Sequence, residues 1–169
     1  MKRRSTLLTV LSLVWLFGCG VENQHKTVER EGKGDVIRFN ESDEEMNAAI
    51  RLAKANMKDF VKAFEAPKPN QSGFSVKYPF KQGEITEHMW VVDLTKDGDS
   101  LIGTLNNDPL DLTNYAYGQD VKIPISELSD WFYVENGVLV GGYTLKLMVK
   151  DYPPAKLREL EKELGFRFQ

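Results

Sequence analysis

Three side chains in this chain have the types that acid–base chemistry needs: His88, Asp108 and Asp130. An imidazole titrates near neutral pH, and a carboxylate beside it can orient the ring and tune its basicity. Brought into one pocket, His88 with Asp108 or Asp130 would make a small enzyme. Glu87 is a poorer partner, because neighbours in a strand point to opposite faces. The plainer expectation, and the one we prefer, is a histidine packed beside Trp90 and satisfied by a backbone carbonyl. Asn106-Asn107-Asp108-Pro109 offers two amides and a carboxylate to a ligand. The same groups can instead fold back on their own backbone as an Asx-turn, and that reading is favoured. Trp131 completes the candidate binding set, or else joins the core while Asp130 caps a short turn. Ser75, Ser100, Ser126 and Ser129 lack the context of a nucleophile elbow. His88 is the only histidine of the domain, which has no cysteine and no carboxylates at ligand spacing, so neither metal nor cofactor is expected.

The elements that must position these residues begin after a leader. Lys2, Arg3 and Arg4 precede an apolar run from Leu7 to Phe17, too short to be a comfortable membrane span. Leu16-Phe17-Gly18-Cys19 then resembles the lipobox of bacterial lipoproteins, although Phe17 is bulkier than that motif usually carries. The resemblance implies cleavage after residue 18 and acylation of Cys19, the only cysteine in the chain. Gly20 follows where aspartate would suggest inner-membrane retention, which points to the outer membrane, facing the periplasm. Residues 19–40 are polar, lack a periodic apolar face and read as a flexible tether. Residues 41–169 are expected to form one domain. The formal charge of −3 gives no sign of a nucleic-acid partner. The expected partners are a membrane, through acylated Cys19, and an unknown protein or small molecule.

Within the domain, Ser42 and Glu45 have the spacing of a capping box. Met46, Ala49, Ile50, Ala53, Met57, Phe60, Val61 and Phe64 recur at three- and four-residue steps as one helical stripe, closed by Pro67 and Pro69. Phe74 to Phe80 alternates as a half-buried strand, with Pro79 marking an edge or an end. Glu84 to Lys96 is apolar on both faces and reads as a central strand, covered on both sides. Ser100 to Leu105 follows across Asp97-Gly98. Val121 to Ile125 is an edge strand by its Pro124, and Ser126 to Asp130 is a short helical turn. Trp131 to Val134 pairs with Val138 to Lys150 across Asn136-Gly137. In that last strand Tyr143, Leu145, Leu147 and Val149 face one way, with Gly141-Gly142 as a bulge or close approach. Pro153 and Pro154 open a C-terminal helix. The sum is an α+β fold: a curved antiparallel sheet of five to six strands, with an N-terminal helix on one face and a C-terminal helix.

Gly73-Phe74-Ser75-Val76-Lys77, Glu87-His88-Met89-Trp90, Gly103 to Pro109, Ser129-Asp130-Trp131 and Gly141-Gly142-Tyr143-Thr144 occur in that order. Together they resemble the YegJ-like bacterial family, a domain of unknown function, over about residues 48–148. The resemblance implies no activity and supplies no catalytic residues. Three readings follow: a non-catalytic lipid-anchored envelope module, a small enzyme built on His88, and an immunity-type protein that neutralises a toxin.

Overall fold

The computed structural model describes the backbone of residues 25–30, 33–39 and 43–168, and the side chains of 43–168. The leader, Cys19 and Ser42 lie outside the described residues. Within the expected tether, β1 (His25–Arg30) and β2 (Lys33–Phe39) pair antiparallel as a two-stranded sheet of their own.

The domain begins with α1 (Glu44–Ala55), capped by Asp43, whose carboxylate accepts from the amides of Glu45 and Met46 at 3.0 Å each. Asp43, not Ser42, is the capping residue, and Glu44 and Glu45 in the first turn suit the positive end of the helix dipole. The expected single helix breaks at Asn56, and α2 (Met57–Glu65) follows. Asn56 turns its side-chain amide back to the carbonyl of Leu52 at 2.9 Å, a local bond that competes with the helical ladder. Met46, Ala49, Ala53 and Phe60 are buried along the stripe.

Six strands follow: β3 (Gln71–Gln82), β4 (Ile85–Asp97), β5 (Ser100–Leu105), β6 (Asp120–Pro124), β7 (Asp130–Glu135) and β8 (Val138–Gly141). They form an open antiparallel sheet in the order β6-β5-β4-β3-β7-β8, so β4 is central and β6, with its Pro124, is an edge. The architecture is α+β. Val76, Phe80, Met89, Val91, Trp131 and Tyr133 line its core face. Phe60 of α2 packs there against Trp131, ring centroids 5.5 Å apart, and the Trp131 indole donates to the Ala53 carbonyl at 2.8 Å. Beyond the helices the same face is covered by the loop after β5, which buries Leu112 and sets Tyr115 against Phe80. Five successive loop amides are held by two side chains. Glu87 accepts from Leu110, Asp111 and Leu112, and Gln82 accepts from Thr113 and Asn114.

One expected strand is corrected. The chain leaves the sheet after Gly141, and residues Tyr143–Val149 form a helix, α3. Gly141 and Gly142 both hold positive φ, at 76° and 62°, which bends the chain out of the pleat. A Cβ on Gly141 would lie 2.4 Å from the Trp131 carbonyl oxygen, so only glycine fits. The expected turn between β7 and β8 is present, with Asn136 and Gly137 at φ 53° and 74°. The C-terminal helix α4 (Pro154–Leu164) ends at Gly165, and Arg167 then bridges to Val138.

Candidate functional site

The side chains that could do chemistry gather on the face of the sheet opposite the core, and the strand register puts them there. The Lys77 carbonyl accepts the Ser129 amide at 2.8 Å, so Lys77 turns its backbone polar groups towards β7. Residues two apart in a strand point alike, so Pro79 presents its missing N–H on that side, away from the β4 ladder. The ladder with β7 ends at Lys77 opposite Asp130, leaving Pro79 with a strand on one side only. Lys77 therefore faces Trp90, and Pro79 faces His88, as non-hydrogen-bonded pairs whose side chains lie close.

The pairing yields a polar cluster. The Lys77 ammonium lies 5.2 Å from the centre of the Trp90 ring and donates to the Thr144 hydroxyl at 3.1 Å. That hydroxyl donates in turn to the Asp130 carboxylate at 2.6 Å. Asp130 also accepts from the amides of Trp131, Tyr143 and Thr144, at 2.8, 3.2 and 2.8 Å, and so holds the start of α3. Burial pushes the Asp130 pKa up, against the pull of these bonds and of Lys77. Burial likewise pushes Lys77 down, against the charge of Asp130. Beside them, Nδ1 of His88 is 2.9 Å from the hydroxyl of buried Ser129. The His88 pKa is pushed down to about 4, first by loss of water around the ring and then by the positive field of Lys77, Lys54 and Lys81.

His88 nevertheless keeps an exposed surface, which corrects the expectation that β4 is covered on both faces. The β7 ladder stops short of it, while Trp90, two residues on, is half-buried with Phe132 4.9 Å away. The His88 partner at Nδ1 is a hydroxyl, that of Ser129, not the expected backbone carbonyl. Asn106 and Asn107 are used by the fold. The Asn106 amide donates to the Trp90 carbonyl at 2.8 Å, and the Asn107 side chain accepts the Trp90 amide at 2.6 Å. Asp108 follows them in the loop. Trp131 is only 2% exposed and faces the core, so it does not belong to a binding surface. Among the described residues, no three His, Cys, Asp or Glu side chains converge as metal ligands would.

Comparison with known proteins adds a family to this geometry. Residues 43–168 match the model of DUF2314, described as an uncharacterized protein conserved in bacteria. The chain belongs to the DUF2314 family. It is 34% identical over 119 residues to "Uncharacterized protein YegJ" of Escherichia coli (strain K12), covering 70% of this chain and 76% of that protein. It is also 40% identical over 97 residues to a "Putative ankyrin repeat protein NMB1133/NMB1171" of Neisseria meningitidis serogroup B (strain ATCC BAA-335 / MC58). That match covers 55% of this chain and 38% of the Neisseria protein. No solved structure matches.

The DUF2314 domain thus brings together His88 and Ser129, and Lys77, Thr144 and Asp130. Three of these five were not picked out as site residues from the sequence. Lys77 had a visible signal, as a lysine on the polar side of a strand whose neighbour carries Trp90 on the same face. Ser129 had none, because its hydroxyl matters only once β7 meets β3. Thr144 was hidden by reading α3 as a strand.

Proposed function

We propose that this DUF2314 domain is a non-catalytic binding module, carried at the bacterial envelope by lipid on Cys19. The observation that carries the binding reading is how the reactive-looking groups are used. Asp130 spends its carboxylate on four hydrogen bonds that tie α3 to β7. Glu87 spends its own on three loop amides, and Asn107 is bound to the Trp90 backbone. A general acid or base needs a lone pair or proton free to reach a substrate, and these groups have given theirs to the fold. The envelope reading rests on the basic-then-apolar leader and the lipobox-like Leu16-Phe17-Gly18-Cys19. Several acyl chains on one residue would hold the chain on a bilayer far better than a single myristoyl group does. Gly20 after the cysteine, where an aspartate would signal inner-membrane retention, favours the outer membrane, with the domain in the periplasm.

Cross-linking in cells, followed by capture of the full chain and identification of what is attached, tests the binding reading. A recurrent protein or small-molecule partner is the expected result. Turnover of any substrate by the pure protein, abolished in His88→Gln, would replace the module with an enzyme. Fatty-acid labelling tests the anchor separately: label should appear on the wild type and be lost in Cys19→Ser, and label that persists would remove the lipid from the proposal.

A further inference from the structure

The hairpin of β3 and β4 runs on past the end of the β7 ladder, and there the second face stands open. His88, Lys81 and Thr86 are exposed on it, and Lys77 is half-buried. Lys81 lies opposite Thr86, two positions along from the Pro79–His88 pair, so Lys77 and Lys81 flank His88 diagonally. Diagonal neighbours on one face of a sheet sit about 7–8 Å apart, within reach of a lysine side chain. Two of the acids near this charge are turned elsewhere or shared. Glu87 points to the core face and is held by loop amides, while Asp130 answers to Lys77 through Thr144. Among the described residues Lys81 is in no ion pair. In a chain of net charge −3, this is a local concentration of positive charge on an open surface.

The donor set narrows the ligand. A planar carboxylate is best met by the fork of an arginine, whereas lysines act as point charges around a phosphate. Neutral His88 adds a directed acceptor. The Ser129 hydroxyl donates its one proton to the Lys77 carbonyl at 3.2 Å, so Nδ1 of His88 donates to Ser129 and Nε2 presents a lone pair to which a protonated phosphate oxygen can donate. We propose that Lys77, Lys81 and His88 form a binding site for a phosphate group on the second face of the sheet. The phosphate belongs either to a small soluble compound or to the headgroup of an anionic lipid. This deepens the binding-module reading and rests on it, since the site is asked to hold a group and not to transform it.

The full chain, or its unacylated Cys19→Ser form, is followed by the NMR signals of the His88 ring at low salt. Two probes are added in parallel: inorganic phosphate, and vesicles of phosphatidylglycerol in phosphatidylcholine set against phosphatidylcholine alone. Bound anion next to the ring should raise the His88 pKa by about one unit. Lys81→Gln, at an exposed position, should weaken binding about fivefold. A response to inorganic phosphate assigns a soluble ligand, and a response to phosphatidylglycerol alone assigns a headgroup. No response to either probe, or one undiminished in folded Lys81→Gln, overturns the site. That failure is separable from failure of the module, because cross-linking reports partners on any surface.

Discussion

His88 carries a signed pH dependence that separates it from its surroundings. Its folded pKa of about 4 lies below the ordinary 6.5, so between those values the unfolded chain binds a proton that the native one refuses. Stability from this group is present above about 6.5 and is lost as pH falls towards 4. Asp130 works in the opposite sense: its raised pKa makes its contribution fade as pH rises through the folded value. Only the difference between wild type and His88→Gln isolates the histidine, and that difference should shrink steadily on acidification across this window. A flat difference in denaturant midpoints would show a ring as free as one in water. Asp130→Asn tests the neighbouring knot. The amide would set an N–H against donors that the carboxylate now accepts, and should cost about 1–3 kcal/mol by urea unfolding. These roles were only partly legible in the sequence. The residue types were visible, but Ser129 and Thr144 acquire partners 41 and 14 positions away through strand pairing and a helix cap.

At the scale of elements, burial decides which face of α2 matters. Phe60 is fully buried among Phe64, Phe74 and Trp131, and Phe60→Ala should cost about 3–5 kcal/mol. Exposed Lys58, two residues away, should tolerate alanine within about 0.5 kcal/mol. Equal shifts of the two denaturant midpoints would reverse the helix. Gly141→Ala should be severe for a different reason. It adds a Cβ against the Trp131 backbone at a positive φ, and strain with overpacking should cost about 2–5 kcal/mol. A calorimetric melting point unchanged from wild type would show that the chain can leave β8 by another path. Most strands were legible because alternation and two-residue turns are local signals. The last one was not. Tyr143, Leu145, Leu147 and Val149 alternate in sequence, yet the left-handed pair at Gly141-Gly142 and the waiting carboxylate of Asp130 start a helix there. The break at Asn56 was hidden for a similar reason, since the apolar stripe continues through it and only a side-chain bond to Leu52 marks the interruption.

For the molecule as a whole, residues 43–168 contain both the family match and the described core. A chain beginning at residue 43 should therefore unfold in a single transition, with tryptophan fluorescence and far-ultraviolet circular dichroism superimposing. Two separated transitions would mean that the sheet and its helices are not one cooperative unit. The α+β class was legible because strands and helices cluster in blocks along the chain. The open end of the second face was not, because it depends on where one ladder stops. That same stopping point matters for colloidal behaviour. Past Lys77, β3 offers a bare rim on which a strand from another copy could be templated, the first step of fibril growth. Pro79 blanks out the donor on that rim, and Lys81 adds a charge that copies must desolvate to stack. The pair works as a gatekeeper, and replacing Pro79 with valine would turn a guarded seam into an adhesive one without touching the core.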